Sequence, residues 1–363
     1  MSQVSVTPKD PGAIRRISEI ELSPRVRAID QEAQYPGIVL QKLGQAGAFD
    51  SYAASTGLHD LAWSIESMAT VGELCLSTAF CMWCQNALRW YISTSKKSEI
   101  ESRYGQLLAQ GQLLGGTGLS NPMKYLTGIE ALRLHARRVK GGYRVSGSLP
   151  WVSNLGPGHF MACVFDVDDD RDHLVMAVVS CDQEGLELGD DLHFVALNGT
   201  GTYSVRMKDV LIRDEDVLAQ EAKPFIRHIR AGFILLQVGM AVGLIRSCIE
   251  SQIEMRSSHG HINRYLSGQP ESFSERLNPL ETRLNALAAT PLDPDHGYFR
   301  EVLRTRLDFA ELSLEVAGAS MLHEGARGYL SHGHAQRRLR EAYFIAILTP
   351  ATKQLRKMLE DAG

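Results

Sequence analysis

The feature that most constrains this chain is a double change in hydrophobic period. Apolar residues recur at helical spacing up to about residue 110 and alternate at a period of two from Gly111 to about Leu218. They then return to helical spacing up to the last residues. The change is sharpest between Leu113 and Asn154. Gly115-Gly116-Thr117-Gly118 makes a glycine-rich turn, and Ala131-Leu132-Arg133-Leu134-His135-Ala136 nearly alternates. Gly141-Gly142 makes a hairpin turn, Tyr143-Arg144-Val145-Ser146-Gly147 returns, and a third run starts at Trp151-Val152-Ser153. This order predicts an α+β chain: an N-terminal helical domain over 1–110, a middle antiparallel β-barrel-like domain over 111–218, and a C-terminal four-helix bundle over 219–363.

Within that frame, helices are expected near 38–46, 58–70, 74–94, 98–108, 224–258, 272–289, 296–325 and 335–360. Pro279 and Pro350 are candidate interruptions. Strands are expected at 112–119, 129–138, 142–148, 159–166, 173–180, 193–197 and 202–212. Residues 1–30 are polar, with prolines at 8, 11 and 24, and parts of them are expected to be loosely held. The acidic loop Asp166–Asp170 has a calcium-like spacing. Arg171 and Ala177 stand where such a loop needs Gly and Glu, so a solvated hairpin tip is expected.

Hydrophobic residues make up 44% of the chain, enough for a large core, and the net charge is −4. Nothing here favours nucleic acid or an acidic membrane surface. The N-terminus lacks an apolar signal region and no run of 18 apolar residues occurs, so a cytoplasmic protein with no membrane span is expected. Six cysteines are scattered at 75, 81, 84, 163, 181 and 248, without a disulfide framework. Cys81-Met82-Trp83-Cys84 lies inside an apolar helical run and reads as core, and no metal site is expected.

The motifs resemble the middle domain of the acyl-CoA dehydrogenase superfamily. The matching pieces are Leu119-Ser120-Asn121-Pro122, the hairpin Gly141–Gly147, and Trp151-Val152-Ser153-Asn154. Asn121 replaces the family's Glu, and Ser146 its Asn. The order of helices, sheet and bundle is also that family's, over about residues 30–360. The resemblance implies a flavin. Ser120 would lie at the pyrimidine side of the ring, with Trp151 and Ser153 near its N5 and O4. Arg256, in Arg256-Ser257-Ser258-His259-Gly260, would contact the dinucleotide across a subunit interface. Gly325 and Gly328 remain from the family's glycine-rich segment, in which Leu322 and Ala326 are substitutions. FAD is the implied cofactor and FMN the alternative. A small-molecule substrate such as an acyl thioester, a flavin reductase or electron acceptor, and a homodimer or homotetramer are the implied partners.

The resemblance also exposes a gap. The family's usual glutamate base falls at Thr349, after Arg340-Glu341, and its alternative position falls at Phe233. A threonine hydroxyl is a very poor base at neutral pH. His228, His259, His323, His332 and His334 are candidates for another role, and the catalytic residue is left unassigned. The readings are a flavin-dependent oxidoreductase on an acyl-CoA or acyl-like substrate without the usual Glu, a monooxygenase of the same fold, and an inactive binding or assembly subunit.

Overall fold

Helix Ala222–Glu254 is the axis around which the other helices pack in the computed structural model, which describes residues 9–50, 52–53, 58–189 and 193–361. Phe233 to Ile245 are all buried, because this stretch is apolar on every side and must be enclosed. The helix is long and apolar enough to cross a membrane, yet 89% of its most apolar window is covered by the protein itself. Helices Ala62–Gly72 and Leu76–Thr94 cover it from the N-terminal side. Pro270–Ala288, His296–Glu324 and His334–Ile347 cover it from the C-terminal side. Its contact with Ala62–Gly72 needs glycine: a Cβ on Gly239 would stand 2.6 Å from the Ile65 carbonyl oxygen, and one on Gly243 2.3 Å from that of Ala69.

Among the described residues, the main sheet has eight strands. Its order is Val217–Ala219, Asp170–Ser180, Phe160–Val167, Leu134–Val139, Gly142–Val152, Tyr203–Arg213 and Leu186–Gly189, with Gly115–Thr117 also paired to Phe160–Val167. The expected antiparallel hairpins are present, and two parallel pairings join them. Both use Phe160–Val167, one with Gly115–Thr117 and one with Leu134–Val139. Alternation along that strand serves two cores. Ala162 and Val164 face the large core shared with both helical segments, while Met161, Cys163 and Phe165 face a second core enclosed by the sheet.

Several expectations are corrected. Of residues 1–30, positions 1–8 lie outside the described residues; Pro11–Gln31 is continuous helical structure, interrupted only in type, and Ile14, Leu22 and Ile29 bury fully in the large core. Residues 193–197 are not a strand. The Asn198 side chain bonds both the N–H (2.9 Å) and the carbonyl (3.0 Å) of Phe194, which closes a loop there. The strand pairing that edge is Leu186–Gly189. The segment from Ser120 is a short helix, Ser120–Leu126. Pro279 stays inside helix Pro270–Ala288, whereas the last helix does divide around Pro350, into His334–Ile347 and Thr352–Asp361. The acidic tip is a tight turn with Asp168 and Asp169 at positive φ and exposed. The six cysteines are free and buried, and burial raises the Cys81 and Cys84 thiols well above their ordinary range.

Candidate functional site

Two segments read separately from the sequence meet here. Ser120, at the first turn of its short helix, places its hydroxyl 2.8 Å from that of Thr349, 229 positions away. Thr349 lies in the four-residue break Leu348–Ala351, whose ends are tied to the flanking helices: Leu348 N–H donates to the Phe344 carbonyl (2.9 Å), and the Ala351 carbonyl accepts from Leu355 N–H (2.8 Å). Between these ends, the Thr349 carbonyl is held from the bundle. Gln237 Nε2 donates to the Thr349 carbonyl (2.8 Å), and Arg306 Nε donates to Gln237 Oε1 (2.9 Å). Arg306 Nη2 donates to the Ile345 carbonyl at 2.6 Å. Arg306 is 1% exposed, and burial lowers it to about 10, so it stays protonated at neutral pH. Among the described residues, no carboxylate bonds Arg306, Gln237, Thr349 or Ser120. This is a polar chain from the bundle interior to the Ser120 hydroxyl, with no base in it.

Phe233, at the alternative carboxylate position, is buried in an aromatic cluster. It makes an edge contact with Trp83 (5.2 Å between ring centres) and a stacked one with Tyr91 (6.3 Å). The Tyr91 hydroxyl is bonded to Thr117 Oγ1 at 2.9 Å, and burial raises it well above the usual phenol range. This wall is aromatic and buried.

The Trp151–Asn154 segment flanks the same glycine-rich strand. A Cβ on Gly116 would lie 2.1 Å from the Ser153 carbonyl oxygen, so only glycine allows the two backbones this close. Asn154 locks the junction from a positive φ of 62°, which Asn tolerates better than most residues. Its Nδ2 donates to the Gly115 carbonyl (2.7 Å), and its Oδ1 accepts from the Tyr35 hydroxyl (2.6 Å). Ser153 is nearly buried, and its Oγ lies 2.6 Å from Thr202 Oγ1. Trp151 is 58% exposed, a large flat apolar surface left open beside these hydroxyls. That arrangement fits a planar polar-edged ring such as flavin: an indole wall, with the Ser120 and Ser153 hydroxyls on segments joined through Gly115 and Gly116.

The remaining residues expected at the site lie elsewhere. Arg256 forms an ion pair with Glu271 at the far end of the bundle. Gly325 caps helix His296–Glu324 at φ 58°, with open space where its Cβ would be. Gly328 packs against Glu324. No hydrogen bond or ion pair among the described residues joins these three to Ser120, Trp151 or Ser153. Of the candidate histidines, two are held by partners outside the site. His323 Nε2 is bonded to the Gly268 carbonyl (2.8 Å), and His334 lies between Glu324 and Arg338. Sequence reasoning missed Gln237, Arg306, Thr202 and Thr200. Gln237 carried a signal, as the single amide in the apolar run Phe233–Ile245.

No family model matches the chain. It is similar to a benzylmalonyl-CoA dehydrogenase of Aromatoleum aromaticum, 23% identical over 92% of this chain and 91% of that protein. The fold is similar to butyryl-CoA dehydrogenase from Megasphaera elsdenii, with a TM-score of 0.83, 16% identity and coverage of 97% and 96% of the two chains. It is also similar to a glutaryl-CoA dehydrogenase from Mycobacterium smegmatis in complex with FADH2, with a TM-score of 0.76, 16% identity and coverage of 97% and 92%. That fold, with relatives aligned along nearly the whole length of the chain, supports membership of the acyl-CoA dehydrogenase superfamily.

Proposed function

We propose that this protein is a flavin-dependent oxidoreductase acting on an acyl thioester or similar acyl compound, without a glutamate base. The single observation that carries the second half of this reading is the Ser120–Thr349 contact, where hydroxyls replace a carboxylate. The first half is supported by the superfamily, by the FADH2 named for a structural neighbour, and by the fit of Trp151, Ser120 and Ser153 to a ring. FAD is the cofactor proposed and FMN the alternative. The bound flavin would supply hydride acceptance. Trp151 would cover a ring face, and Ser120 and Ser153 would bond its edges. Phe233 and Trp83 would keep water from the reacting carbon. Gln237 and Arg306 would hold the Thr349 turn in place. Arg256, Gly325 and Gly328 would serve the dinucleotide across a subunit contact, in a cytoplasmic homodimer or homotetramer. A flavin reductase or electron acceptor would complete the cycle.

A second reading, a monooxygenase of the same fold, is favoured by the same missing carboxylate, since that reaction needs no α-proton base. The test is anaerobic mixing of flavin-loaded protein with straight-chain acyl-CoAs. General-base catalysis contributes roughly 10²–10⁴-fold. Wild type should therefore bleach its flavin slowly, and Thr349→Glu should speed bleaching. Rapid bleaching unaffected by Thr349→Val would place the base elsewhere and end this reading. Oxygen uptake with reduced flavin, coupled to substrate hydroxylation, would favour the monooxygenase. Flavin binding with neither activity would favour a binding or assembly subunit.

A further inference from the structure

Ser153 lies at one end of a row of three hydroxyls whose other end is a carbonyl. Thr200 Oγ1 is 2.7 Å from the Leu197 carbonyl oxygen, Thr202 Oγ1 is 2.7 Å from Thr200 Oγ1, and Ser153 Oγ is 2.6 Å from Thr202 Oγ1. Each hydroxyl has one hydrogen to give. The carbonyl has none, so Thr200 must donate to it. That leaves Thr200 only lone pairs for Thr202, so Thr202 must donate to Thr200. Thr202 then has only lone pairs for Ser153, and Ser153 must donate to Thr202. The backbone fixes the start of the row. Leu197 sits at φ 64° and Gly201 at φ 55°, on either side of a short turn, and Thr200 is 1% exposed.

We propose that Ser153 meets the cofactor as a hydrogen-bond acceptor, and that the site therefore binds reduced flavin in preference to oxidised flavin. This rests on the flavin reading above, in which Ser153 faces the N5 edge of the ring. The N5 of oxidised flavin carries no hydrogen and would meet the Ser153 lone pairs with its own. The N5 of reduced flavin carries a hydrogen and finds in Ser153 a partner already turned to receive it. The preference is built into this chain by Thr202 and Thr200, which hold the Ser153 hydrogen away from the ring. Thr202 is thus a positioning residue, acting through Ser153.

The test is a pair of anaerobic equilibrium titrations of the full-length protein, one with oxidised FAD and one with FAD reduced by dithionite. The ratio of the two dissociation constants is the readout. One bond made in one state and opposed in the other predicts about tenfold tighter binding of the reduced form. For a two-electron couple that is a midpoint potential raised by about 30 mV over free FAD. Thr202→Val removes the acceptor of the Ser153 hydrogen, frees that hydrogen for N5, and should bring the ratio toward unity. Thr202→Ser keeps the row and should keep the ratio. Equal or tighter binding of oxidised FAD by wild type, with a ratio unmoved by Thr202→Val, overturns the proposal while leaving the flavin site standing. Failure of either form to bind overturns the flavin reading and this inference with it.

Discussion

Gln237 makes two bonds, one to the Thr349 carbonyl and one from Arg306. Replacing it by Leu keeps the volume but orphans a buried carbonyl and a buried guanidinium donor. Each orphan costs roughly 1–3 kcal/mol. We expect Gln237→Leu to lower stability by roughly 2–6 kcal/mol in urea unfolding, and to loosen the Leu348–Ala351 turn. A loss below about 1 kcal/mol would mean that the turn is held by something else. Ser120 and Thr349 were legible in the sequence because each belongs to a motif of fixed order, although nothing in either motif predicts that the two hydroxyls touch. Arg306 and Thr202 were not legible. Their partners are a side-chain amide, a backbone carbonyl and other hydroxyls brought in by folding, and no spacing marks such partners.

The elements that carry the site were mostly readable from hydrophobic period, since helices such as Leu76–Thr94 and His296–Glu324 show it over many turns. Short or compensated elements were not. Pro11–Gln31 is polar outside but buries one large aliphatic residue every seven or eight positions. Pro279 is tolerated within its helix. The connection between helices His296–Glu324 and His334–Ile347 carries a pH-sensitive joint. Buried Glu324 accepts from Ser251 (2.8 Å) and lies 3.3 Å from His334 Nδ1. Arg338 donates to His334 Nε2 (3.3 Å), Ser247 lies beside it, and Arg337 is close by. Burial lowers the His334 pKa, the arginines add to this, and Glu324 opposes it. A histidine lowered in the folded state is protonated first in the unfolded state. Its contribution is therefore complete above about pH 6.5 and is lost as pH falls below that. His59, which burial holds down to about 4, acts in the same sense. Denaturant unfolding should show stability falling between pH 7 and 5, with a shallower slope for His334→Gln. Identical slopes for the two proteins would remove His334 from this role.

At the scale of the whole molecule, one end of the bundle exposes Ile253, Ile262, Tyr265, Leu322, Tyr329 and Leu330. The Asn263 side chain ties two of these segments together through the His323 carbonyl (3.0 Å). We expect this face to be covered by a second copy, in closed twofold symmetry. Sedimentation should give a dimer or a dimer of dimers at micromolar concentration, and a monomer would contradict this. The order of helices, sheet and bundle was plain from the two changes of period. The single large core joining both helical segments was not, because no local pattern reports which distant helix covers which face. We propose that Ser120, Trp151 and Ser153 hold a flavin ring. The most direct test is the visible absorption spectrum of the desalted protein after incubation with FAD, beside that of Trp151→Ala. We predict retained flavin bands in the wild type and weakened retention in the variant, by about 1–3 kcal/mol on the scale of ring–aromatic stacking. A colourless wild-type protein, or a variant that keeps its flavin as tightly as the parent, would contradict the assigned site.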